Sequence, residues 1–140
     1  MHKASFTRTG CVALAIIAVL VVGCGSDSNT PTAPGIQPQI INSVDNFQFQ
    51  VTAVDNHTGT LTYWWPNTGA QANINQSCSI ASGTVTLTLL DGSGTQVYSQ
   101  ALSQNGTFAS VPGASGTWRV SVIMSGATGD LNFRLDKSTP

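Results

Sequence analysis

Any chemistry in this 140-residue chain rests on few side chains, because it has three cysteines, two histidines and no glutamate. Cys24 offers a thiol nucleophile directly after Val21-Val22-Gly23. His57 lies two residues from Asp55 in Asp55-Asn56-His57-Thr58-Gly59, a spacing from which a hydrolase dyad could be imagined. A hydrolase also needs a positioned nucleophile. No Gly-x-Ser-x-Gly occurs, and Gly92-Ser93-Gly94 reads as turn chemistry instead. Beyond residue 24 only His57 and Cys78 remain, too few to fill a zinc shell, and Asp91 with Ser93 falls short of the oxygen-rich spacing of a calcium loop. The sequence therefore predicts no catalytic site, metal centre or cofactor.

The surroundings of Cys24 are more specific. A basic start with Lys3 and Arg8 leads into an apolar run from Cys11 through Gly23, followed by polar Gly25-Ser26-Asp27-Ser28. The three-part pattern of basic start, apolar run and small-residue cleavage region is that of an export signal. A transmembrane span needs about 20 apolar residues, so this run is too short to be a retained anchor. Val21-Val22-Gly23-Cys24 resembles the lipobox of bacterial lipoproteins, with Val21 where the family more often has Leu and Val22 where it has Ala or Ser. That resemblance implies removal of residues 1–23, diacylglyceryl transfer to the Cys24 thiol, and membrane attachment through two or three acyl chains. Each buried methylene adds about 0.8 kcal/mol of membrane affinity. The residue after Cys24 is Gly25 and not the Asp that resembles an inner-membrane retention signal, which implies the outer membrane.

Beyond residue 23 the charges are Arg119, Arg134 and Lys137 against six aspartates, a net −3. Nucleic acid is excluded as a partner, since phosphate binding demands clustered Lys and Arg. Residues 24–39 contain three prolines and no aromatic, and read as a tether spanning about 20 Å if flexible or about 45 Å if proline-stiffened. Cys78 shares an alternate face with Ile80 and is expected to be a small buried hydrophobe.

From residue 40 to 140 the periodicity is two, the mark of half-buried strands. Phe47, Phe49, Val51 and Ala53 alternate with polar residues until a turn at Asp55–Gly59. Leu61, Tyr63 and Trp65 then share a face, as do Ala70, Ala72 and Ile74, and Val85, Leu87 and Leu89. Asp91-Gly92-Ser93-Gly94 makes a hairpin into Val97 and Tyr98, and a short strand is placed around Phe108 and Val111. Trp118, Val120, Val122 and Met124 form another inward stripe, Ser125–Gly129 turns, and Leu131, Phe133 and Leu135 finish the pattern. Glycine and β-branched residues recur in every segment and disfavour helix. The expected fold is all-β, an antiparallel β-sandwich of about seven or eight strands, jelly-roll-like or immunoglobulin-like.

Three glycine-led strands, Gly83-Thr84-Val85-Thr86-Leu87-Thr88-Leu89-Leu90-Asp91, Gly116-Thr117-Trp118-Arg119-Val120-Ser121-Val122 and Gly126 through Phe133, resemble bacterial pre-peptidase C-terminal sandwich domains. The resemblance implies a non-catalytic module. The residues best suited to a ligand are Tyr63-Trp64-Trp65. Parity sends Tyr63 and Trp65 inward and leaves Trp64 outward beside Thr62, as a flat stacking platform with Asn67 and Gln71 as hydrogen-bonding neighbours. The sequence reading is thus a lipid-tethered, non-catalytic accessory module of the bacterial envelope. Its expected partners are the membrane through the anchor and a protein or glycan.

Overall fold

The computed structural model describes residues 35–139, so the leader, the Cys24 site and most of the tether lie outside the described residues. Among the described residues every regular element is a strand: β1 (Gln39–Ser43), β2 (Asn46–Asn67), β3 (Ala72–Gln76), β4 (Ser79–Leu90), β5 (Gln96–Ala101), β6 (Gly106–Ala109) and β7 (Gly116–Lys137). All pairings are antiparallel.

The organising unit is the ribbon of β2 and β7, in register from Asn46↔Asp136 to Asn67↔Gly116. Each strand has 22 residues, about 70 Å if straight, which is longer than a domain of this size can accommodate. The ribbon folds over instead. Phe49 and Tyr63 would stand about 45 Å apart on a straight strand. Their ring centroids are 6.0 Å apart, and those of Phe47 and Tyr63 are 5.5 Å apart.

The fold lies where hairpin turns are expected from sequence, at Asp55–Gly59 and Ser125–Gly129. Neither segment is a turn. Both strands continue through it, with register shifts between Val51 and Val54, Val54 and His57, and His57 and Gly59. The residues that favour turns are present in both strands at the same level, so they bend the ladder without ending it. Ala53 and Asn56 take positive φ here, and the Ala53 N–H donates to Asp130 Oδ1 at 2.8 Å. Across the bend, Gly83 and Gly129 hold φ of 73° and 141°, and a methyl on either would run into the carbonyl of Gly126 or Ser79.

Two layers result, and the chain is an antiparallel β-sandwich as the alternation predicts. In one, the strand order is β1-β2-β7-β3-β6; in the other, the second half of β2 pairs with the first half of β7, then β4 and β5. Between them lie Phe47, Phe49, Tyr63, Trp65, Leu87, Leu89, Trp118, Val120 and Phe133, all buried, with Trp65 and Trp118 edge-to-face at 5.8 Å.

The N-terminal boundary differs from expectation. Ile36, read as tether, is 2% exposed and belongs to the core, and β1 begins at Gln39. An isolated isoleucine between prolines shows no periodicity, yet docking it removes its whole side chain from water. β6 covers Phe108 but stops before Val111, which is exposed.

Candidate functional site

Trp64 stands on β2 between the buried rings of Tyr63 and Trp65, so strand alternation turns its indole outward, where it is 58% exposed. The backbone beneath it is pinned at a sheet edge. Asn42 Nδ2 donates to the Trp64 carbonyl and the Asp45 N–H to the Pro66 carbonyl, both at 2.9 Å, while Pro66 has no N–H to offer. These contacts also close that part of the edge to pairing with another chain.

Register gives the platform its neighbours. Trp64 lies opposite Arg119 of β7, and Arg119 lies opposite Leu90 of β4. The next row reads Thr62, Ser121, Thr88 and Ser99, and the one after it Thr60, Ile123, Thr86 and Ala101. The outer face is therefore a lattice of short hydroxyl and aliphatic side chains. Its one ring and one cation are adjacent at one end.

A cleft of about 290 Å³ opens there, lined by Trp64, Leu90, Thr117, Arg119 and the turn from Asp91 to Gly94. Asp91 builds the wall and does not serve as a ligand. Its Oδ1 accepts from the Ser93 N–H, Ser93 Oγ and the Thr95 N–H at 2.9, 2.7 and 2.9 Å, and its Oδ2 accepts from the Ala114 N–H at 2.8 Å. The Ala114 N–H above all, with the Ser93 hydroxyl and the Thr95 N–H, holds this carboxyl far below the usual carboxylate range. Oxygens occupied by N–H and O–H donors have the wrong polarity around them for a cation. Among the described residues no cluster of three His, Cys, Asp or Glu is placed to hold a metal.

The expected neighbours of Trp64 are elsewhere. Asn67 is three residues along the strand and so faces inward; it is 1% exposed, and its Oδ1 accepts from the Gly69 N–H at 2.9 Å. Gln71 donates from Nε2 to the Ser110 carbonyl at 3.0 Å and lines a separate groove with Thr68, Gly69 and Lys137. Arg119 and Thr117 take their places. Alternation alone puts Arg119 outward, opposite in parity to Trp118, but only the β2–β7 register puts it beside Trp64.

His57 is half-buried in the ribbon bend, opposite Ala127, and among the described residues no Ser or Asp side chain hydrogen-bonds to it. Cys78 is buried as expected. Its Sγ lies 3.3 Å from both the Asn132 carbonyl oxygen and the Asn132 nitrogen, Asn105 brackets its backbone, and burial pushes its thiol up.

No protein-family model and no curated protein matches the chain. Solved structures similar to it include one described as "CBM4 structure and function", at 13% identity and TM-score 0.38, with 73% of this chain and 76% of that one covered. A second is an arabinose-bound α-L-arabinofuranosidase at 14% identity and TM-score 0.36, of which this chain, 78% covered, spans 23%. A third contains accessory secretory proteins 1, 2 and 3 of Streptococcus pneumoniae, at 13% identity and TM-score 0.38, with 84% of this chain and 92% of that one covered.

Proposed function

We propose that the protein is a lipid-anchored, non-catalytic binding module of the bacterial envelope, attached through Cys24 to the outer membrane, and that the Trp64 cleft receives a glycan. One observation carries the glycan reading: an indole 58% exposed on a hydroxyl-bearing sheet face, lining a cleft. Sugar rings present flat C–H faces that stack on an indole, while their hydroxyls pair with side chains such as Thr117. The lattice of short side chains loses little rotamer freedom when covered, so an extended neutral or charged chain can lie on it at small entropic cost. The anchor rests on the lipobox resemblance, and the non-catalytic role on the resemblance of the second half to pre-peptidase C-terminal sandwich domains.

Trp65 and Trp118 are buried, so quenching by added polysaccharide reports on Trp64. Titration of intrinsic fluorescence against envelope and matrix glycans is expected to show a saturable change that Trp64→Ala removes. An unchanged spectrum across the panel sinks the glycan reading. For the anchor, mass spectrometry of the N-terminal peptide is expected to show diacylglyceryl on Cys24, and Cys24→Ser to release the protein from membranes; an unmodified cysteine contradicts it.

A further inference from the structure

We infer that the ligand of the Trp64 cleft is an acidic glycan carrying hexuronic acid units, with the sugar ring over Trp64 and its carboxylate on Arg119. This rests on the glycan reading of the cleft. Arg119 sits directly across the ladder from Trp64, which places their Cβ atoms about 5 Å apart on one face. Its partner on the other side is Leu90, and its neighbours along β7 on that face are Thr117 and Ser121. None of these carries charge.

The other two cations among the described residues are both committed, Arg134 to Asp136 at 2.8 Å and Lys137 to Asp45 at 3.0 Å. Arg119 has no such partner among the described residues. The nearest acid in the cleft wall, Asp91, is buried and already accepts four hydrogen bonds. The guanidinium thus presents a planar fork of donors with no acceptor among the described residues, next to an exposed indole, and the one carboxylate lining the same cleft, Asp91, has its oxygens taken by backbone and hydroxyl donors.

That is a local positive site on a chain whose domain is net negative, so it complements an anion and not the rest of its own surface. A guanidinium pairs with a planar carboxylate through two parallel hydrogen bonds. The second requirement is a flat ring within reach of the same anion. A uronic acid meets both, because its carboxylate is joined directly to the pyranose ring. A phosphate-rich polymer does not, since a lone arginine provides too few charges to neutralise it.

The test uses the full-length chain in detergent and matched probes: tetragalacturonate, its methyl ester, and an alginate oligomer. An acid probe is expected to bind about tenfold more tightly than the ester at low salt, the worth of one charge-assisted contact, with the preference shrinking as salt rises. Arg119→Gln is expected to bring acid and ester to equal affinity, whereas Trp64→Ala weakens all three. Both side chains are exposed, and an unchanged far-ultraviolet spectrum checks that the variants fold. Equal affinity for acid and ester, a preference that survives Arg119→Gln, or neutral glycans binding while every acidic probe fails would each overturn the inference and leave the glycan reading standing. Failure of every glycan, neutral or acidic, removes both.

Discussion

Tyr63 and Tyr98 are both buried, and burial pushes both phenols up to about 12, yet their hydroxyls have different fates. Tyr98 Oη donates to Gln76 Oε1 at 2.7 Å, while Tyr63 Oη, packed among phenylalanines, has no protein partner. A buried hydroxyl without a partner costs about 1–3 kcal/mol, and a satisfied one contributes about 1 kcal/mol. Tyr63→Phe is therefore expected to stabilise the domain by about 1 kcal/mol and Tyr98→Phe to destabilise it by a similar amount. Urea midpoints at constant m-value measure both, and a loss of stability in Tyr63→Phe would show that its hydroxyl is satisfied after all. The contrast between Trp64 and Trp65 was legible from parity alone. The identity of Trp64's neighbours was not, because Asn67 is close in sequence but turned away, while Arg119 is distant in sequence and brought alongside by register.

The turn between β4 and β5 and the turn between β1 and β2 each hang on one aspartate. Asp91 is held low chiefly by the Ala114 N–H and Asp45 chiefly by the Thr68 N–H, both below the usual value of 3.8. A carboxyl with a lowered folded pKa stabilises the fold fully above its unfolded pKa and loses that contribution as pH falls through the folded value. The thermal midpoint is thus expected to be flat near neutrality and to fall below about pH 3.8. Asp91→Asn replaces an acceptor with an N–H₂ that meets the Ala114 N–H head on, so it should lower the midpoint at pH 7 and flatten the acid-side fall. Calorimetry at pH 7 and pH 3 decides this, and an unchanged acid slope would remove Asp91 from the account. Alternation located the cores of β2, β4 and β7 because each buries every second side chain. It did not reveal that β2 and β7 run on through Asp55–Gly59 and Ser125–Gly129, since glycine, asparagine and aspartate favour bulges and hairpin turns for the same backbone reason. β1 went unseen because it is an edge strand with Ile40 and Ile41 adjacent, not alternating.

At the scale of the whole molecule, β7 runs through both layers, as β2 does, and joins β2 to β3 in one and to β4 in the other. Phe133 stacks on Phe49 at 5.0 Å, and its truncation to Ala is expected to cost about 3–5 kcal/mol, a large part of the stability of a domain this size. A two-state denaturation curve measures it, and a cost below about 1 kcal/mol would mean that the core collapses around the gap. β7 is also the last strand of the domain in chain order, so neither layer can close on a ribosome before residues 116–137 emerge. Stalled nascent chains ending ahead of Gly116 should remain fully protease-sensitive. For a polypeptide exported as proposed above, late completion would have a practical effect: the chain would stay threadable through a narrow channel until its last strand followed, and would take its shape on the far side.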